Sequence, residues 1–144
     1  TTPCLLHAGV FRLERIAPGE RLLTLHTNVK KLISEWRVET LAIEKLFFAK
    51  NAKTALAVSE SRGALLLTAG LAGITVFEYT PLEIKKTVTG NGSADKAAVE
   101  KMIRLVLPDA AQIKTQDDTF DAIAVAYTCY LKEFRNPYTK QLTS

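Results

Sequence analysis

Two short apolar runs, Val38–Glu44 and Ile74–Tyr79, flank a long helical pattern. Each run is too short for a helix and carries β-branched or aromatic residues, so each reads as a buried strand. Between them, 52–71 reads as a helix with Ala55, Ser59, Gly63 and Leu66 along one side, small residues that let another helix approach closely. Strands that alternate with helices set the class as α/β.

The remaining segments extend that alternation. Residues 4–14 read as a further β run, closed by the turn signal Pro18-Gly19. From Glu20, Leu22, Leu25, Val29, Leu32, Ile33 and Trp36 recur at spacings of three and four, one face of an amphipathic helix. Pro81 opens a short helix at its favoured first position. Gly90-Asn-Gly-Ser93 is a loop, with Ser93 the expected N-cap of the helix that follows. The last helix is expected over 118–134, with 135–144 a flexible polar tail. No repeat or internal linker divides the 144 residues, so one domain is expected.

Several function classes fall away. Cys4 and Cys129 have no CxxC spacing and His7 and His26 form no ligand pair, which argues against zinc. Two free buried thiols fit a reducing compartment. The apolar stretch 64–77 is too short and too interrupted by Gly and Thr to span a bilayer, and the first residues lack a secretory pattern. No membrane partner and a cytoplasmic location are the expectation. A formal net charge of +4 hints at a polyanionic partner.

The acids carry the chemistry. Glu44 ends a strand, and ligands of open α/β sheets gather beyond strand carboxyl ends. Asp118 and Asp121 are three apart in the first turn of the last helix, which puts both on one side. Three carboxylates from separate elements could share one hard cation, and oxygen-only ligands favour Mg²⁺ or Mn²⁺. Such ions activate water in phosphodiester hydrolysis. The competing reading is that Asp117, Asp118 and Asp121 cap helix N–H groups and complement the helix dipole.

Four stretches, 41–51, 55–63, 76–96 and 117–126, follow one another as they do in the RuvC family of Holliday junction resolvases. Glu44-x-x-Phe47-x-x-Lys50-Asn51 and Gly90-x-Gly92-Ser93-Ala94-Asp95-Lys96 are the most specific. The resemblance runs from His7 to Phe134. It implies an RNase H-like fold, a mixed sheet flanked by helices, and a Mg²⁺-dependent endonuclease that resolves four-way DNA junctions. It implies that Glu44, Asp118 and Asp121 are metal ligands and catalytic, and that Lys96 is a catalytic basic residue near the scissile phosphate. Phe47 resembles the aromatic that stacks on unpaired bases, while Lys85 and Lys96 resemble basic residues near the phosphate. Lys50, Lys86 and Ser93 join the DNA-binding set, the last through a loop whose N–H groups face a phosphate. Only one of Phe47 and Phe48 is expected to face inward. The helix from Ala52 resembles one that builds a homodimer, and a branch-migration helicase complex is a further implied partner.

The sequence departs from the family in one respect. Members begin with a strand bearing Gly-Ile-Asp-Pro-Gly, whose aspartate is a fourth metal ligand, and no Asp precedes Asp95 here. The resemblance therefore implies an N-terminally truncated domain with a vacant ladder position beside 38–44. It leaves a second reading open, a module that binds branched DNA without cutting it.

Overall fold

The structure, a computed structural model, describes residues 2–13, 17–45, 52–114 and 118–135, the side chains of residues 52 and 53 excepted. Its elements in chain order are α1 (Pro18–Trp36), β1 (Thr40–Glu44), α2 (Ala52–Ala72), β2 (Thr75–Tyr79), α3 (Pro81–Thr89), α4 (Lys96–Val106) and α5 (Thr119–Cys129). A 3₁₀ turn at Pro108–Gln112 precedes α5, and a π-helical turn at Tyr130–Phe134 follows it. The described part of the sheet is two parallel strands, β1 beside β2. Phe47, Phe48, Lys50, Asp117 and the tail from residue 136 lie outside the described residues.

The chain divides into two compact units. One comprises 1–10, 42–45 and 78–144, and the other 11–41 and 46–77. In the second unit, α1 packs on α2. Leu25 and Val29, one turn apart on α1, are its buried apolar residues. Arg21 Nη2 bonds Glu60 Oε2 at 2.7 Å, and His26 Nδ1 lies 2.8 Å from Thr68 Oγ1. Thr68 donates its own proton to the Ala64 carbonyl, so its oxygen accepts from His26, which fixes the imidazole tautomer with hydrogen on Nδ1. α1 starts at Pro18 rather than after a Pro-Gly turn. Proline at N1 lacks only an N–H that would have no intrahelical partner there.

In the first unit, α3, α4 and α5 pack against one another. Ile84 and Val88 of α3, Val99 and Ile103 of α4, and Phe120, Ile123 and Ala124 of α5 supply the buried core. Ile103 is fully enclosed, a burial that stabilises the fold by about 1.5–3 kcal/mol. α3 begins with a capping box: Thr80 Oγ1 accepts the Glu83 N–H at 3.2 Å while Glu83 Oε2 accepts the Thr80 N–H at 2.8 Å. Glu83 Oε1 also takes Lys132 Nζ at 3.2 Å, and Tyr79 Oη donates to Glu133 Oε1 at 3.0 Å. These bonds join the start of α3 to the turn that ends α5. Burial, with hydrogen bonding to Cys129 and Glu133, holds the Tyr79 phenol far above its ordinary range.

Three expectations are corrected. Residues 2–13 form no strand, and Leu6, Val10 and Phe11 are exposed. Apolar residues make a strand only where a ladder receives their backbone, and this segment pairs with neither β1 nor β2. Cys129 is buried as expected, but Cys4 is exposed. The N-cap of α4 is Asp95, not Ser93: Asp95 Oδ1 accepts the Ala98 N–H at 2.8 Å. The chain between them is used up by a turn, in which Ala94 N–H reaches the Asn91 carbonyl at 3.1 Å.

Candidate functional site

The site lies within the first unit and is assembled from strand and helix ends. The Lys45 N–H donates to the Tyr79 carbonyl at 2.8 Å, which ties the carboxyl ends of β1 and β2 together and fixes Glu44. α3, started by Pro81 and its capping box, carries Lys85. α4, started by Asp95, carries Lys96 at its first position. α5 carries Asp121 in its first turn, with Asp118 at its N-cap.

These side chains converge. Glu44, Lys85, Lys96 and Asp121 line one cleft of about 220 Å³, together with the apolar Ile84, Val99 and Val125. Lys96 Nζ lies 2.8 Å from Asp121 Oδ2 and 3.5 Å from Asp118 Oδ1. The Asp118 side chain is 89% exposed and that of Asp121 40%, so the pair is accessible to a ligand from solvent. Asp118 makes no capping hydrogen bond although it occupies the N-cap position. Its carboxylate turns to Lys96, which answers the simple capping alternative for that residue.

The electrostatics report the same convergence. Glu44 as a residue is exposed, yet partial burial of its carboxyl beside the cleft raises its pKa above the ordinary value. The negative charges of Asp121 and, more weakly, Asp118 push the same way, while Lys96 and Lys85 oppose them. Lys96 is held in its charged form by its hydrogen bond to Asp121, reinforced by the charge of that aspartate and by Asp118.

Among the described residues, no three acidic, histidine or cysteine side chains stand close enough to enclose a metal ion. The positive charge shared by the two aspartates is the Lys96 ammonium. Glu44 from β1 and the two aspartates at the start of α5 offer oxygen donors only, the type a hard divalent cation prefers, and Lys96 spans the two aspartates.

The structure separates the other sequence candidates. Lys85 faces the cleft, whereas Lys86, one residue on, is exposed and does not line it. Across Gly90–Ala94, the N–H groups of Gly90, Asn91, Ser93 and Ala94 are bonded within the chain rather than turned to a phosphate. Asn91 N–H bonds Thr89 Oγ1 at 3.1 Å, Ser93 N–H bonds Asn91 Oδ1 at 2.9 Å, and Ala94 N–H bonds the Asn91 carbonyl. A carboxylate, Asp95, caps the helix that this loop enters, which further disfavours an anion there. The reading of the sequence also missed the capping box at Thr80, although Thr80-x-x-Glu83 is its signature.

Residues 3–129 match the family described as crossover junction endodeoxyribonuclease RuvC. The chain is 47% identical over 108 residues to RuvC of Ruminiclostridium cellulolyticum, covering 75% of this chain and 64% of that protein. It is 39% identical to RuvC of Natranaerobius thermophilus, covering 91% of this chain and 87% of the relative. Among solved structures, Thermus thermophilus RuvC superposes with a TM-score of 0.77 at 30% identity, over 88% of this chain and 77% of that one. The same protein in complex with Holliday junction substrate gives a TM-score of 0.77 at 31% identity, over 85% and 74%. The fold is accordingly α/β of the RNase H-like type.

Proposed function

The chain belongs to the RuvC family of crossover junction endodeoxyribonucleases, and from that premise we propose that the protein resolves four-way DNA junctions as a structure-specific endonuclease in recombination and repair. The observation that carries this reading is the convergence of Glu44, Asp121, Lys85 and Lys96 on one cleft, with Asp118 joined to it through Lys96.

In this reading Glu44, Asp118 and Asp121 hold a divalent cation, Mg²⁺ by preference with Mn²⁺ able to replace it. Such a cation, when bound, neutralises charge on the scissile phosphate and makes the attacking water more acidic. The other steps belong to the chain itself. Lys96 leaves the aspartates and donates to a non-bridging phosphate oxygen, and its charge favours the transition state more than the ground state. Lys85 supplies a second positive charge on the same cleft. Lys50 and Lys86, with Ser93 through its hydroxyl rather than its N–H, contact the junction backbone, and Phe47 stacks on an unpaired base, worth about 1–3 kcal/mol.

A homodimer suits a two-fold symmetric junction in which two strands are cut. The exposed Leu56, Leu67 and Leu71 of α2 support that assembly, as does open space within 4 Å of any Cβ placed at Gly63 or Gly70. A branch-migration helicase would act beside the dimer, in the cytoplasm. Among the described residues no helix is long and apolar enough to cross a membrane.

The test pairs junction binding with junction cleavage in Mg²⁺, for the protein and for Glu44→Gln and Asp121→Asn. Paired nicks in opposing strands, lost in both variants while binding persists, are the expected result. Tight binding with no cutting at any metal concentration would instead make the protein a branched-DNA binding module.

A further inference from the structure

Arg104 lies in the last turn of α4 and does not line the acidic cleft. Its guanidinium engages acceptors through all three nitrogens. Nη1 donates to the carbonyls of Ala110 and Ala111 at 3.0 and 3.1 Å, and Nη2 donates to the Ile113 carbonyl at 2.9 Å. Nε and Nη2 both meet Glu100 Oε1, at 2.9 and 2.8 Å. The guanidinium carbon then sits 4.4 Å above the centre of the Phe120 ring.

An i,i+4 Glu–Arg pair on a helix is ordinarily a minor contribution to stability. Here the pair orients a planar fork whose donors also gather the carbonyls of Ala110, Ala111 and Ile113, which a point-like ammonium cannot do. The location of those partners gives the fork its consequence. The carbonyls belong to the turn Pro108–Gln112 and to Ile113, on the near side of residues 115–117. Phe120 lies on the far side, in the first turn of α5, between Asp118 and Asp121. One side chain thus grips the backbone before that segment and the buried ring after it.

We propose that Arg104 is a positioning residue that fixes the entry to α5 and so sets where Asp118 and Asp121 stand against Lys96 and Glu44. It touches neither substrate nor the reacting atoms. The inference rests on the metal-site reading for its functional meaning, but its structural part stands apart from that reading and is measured separately.

The experiment compares Arg104→Lys with Ile103→Val. The latter thins the core from the neighbouring position of the same helix and leaves every Arg104 partner in place. Two readouts are taken on each, at temperatures equally far below its unfolding midpoint. One is Mn²⁺ affinity by calorimetric titration. The other is exchange protection of the Ala122 N–H, which bonds the Asp118 carbonyl at 3.1 Å. Arg104→Lys is expected to weaken Mn²⁺ binding about 10- to 100-fold, as loss of groups that orient metal ligands does, and to speed Ala122 exchange relative to Ile103→Val. Ile103→Val is expected to keep native values of both. Native affinity and native Ala122 protection in Arg104→Lys would overturn the proposal, as would equal losses in Ile103→Val. If the unaltered protein binds no Mn²⁺, the metal reading fails and Ala122 protection alone decides the role of Arg104.

Discussion

Replacing Asp95 by alanine removes the carboxylate that receives the Ala98 N–H at 2.8 Å at the start of α4. The helix is 11 residues long and carries Lys96 at its first position, so the cap serves both stability and the cleft. Loss of an N-cap acceptor costs about 0.5–2 kcal/mol. Loss of a negative charge at a helix N-terminus adds about 0.3–1 kcal/mol at low salt. Part of these effects overlaps, and about 1–2 kcal/mol is the expected total. For a chain of this size, that lowers Tm by roughly 3–8 °C. Asp95→Asn, which keeps an acceptor, should lose only the charge contribution. Ser93→Ala should stay within about 0.5 kcal/mol of the unaltered protein, as an exposed substitution away from a cap does. The assay is calorimetric unfolding of all three variants at low ionic strength. If Ser93→Ala costs as much as Asp95→Ala, the cap assignment is wrong and the sequence-based reading of Ser93 stands.

Further outcomes follow from other contacts. Ile103→Ala empties a fully enclosed position and should cost about 2–5 kcal/mol in urea unfolding; a loss below about 1 kcal/mol would mean that the three-helix core is not packed as described. Hydrogen bonds from Thr80 and Lys132 depress Glu83 from an ordinary 4.5 to about 2. Its contribution to stability is therefore complete above pH 4.5 and fades as pH falls through about 2, so Glu83→Gln should be less stable than the unaltered protein at pH 6 and nearly equal to it at pH 2. Urea midpoints at the two pH values check this, and an unchanged gap would contradict it. Lys85→Ala should weaken junction binding and shallow the log K against log salt slope by about 1, as for one lost phosphate contact; an unchanged slope would take Lys85 off the DNA.

Much of the architecture was legible where local chemistry and burial agree. β1 and β2 follow from short apolar runs, α3 from Pro81 at N1, and the placing of Glu44 and Asp121 on one cleft from the rule that sites form at strand ends. The segment 2–13 misled because its apolar residues match a strand, while strand formation depends on a neighbouring backbone that no local pattern encodes. Ser93 and Asp95 are both good capping types, and only the turn through Asn91 and Ala94 decides between them. Two features needed three dimensions altogether. One is Lys96 as the shared counter-ion of Asp118 and Asp121, 22 and 25 residues away in sequence. The other is Arg104, whose sequence context shows only a helix-face pair with Glu100.

The central claim, that Glu44, Asp118 and Asp121 share one divalent ion, is tested most directly by anomalous diffraction from crystals soaked in Mn²⁺. A single peak at about 2.1–2.2 Å from oxygens of these residues, with the Lys96 ammonium displaced from the aspartates, is the predicted result. A peak elsewhere, or none with Lys96 still bridging Asp118 and Asp121 at saturating Mn²⁺, would contradict it.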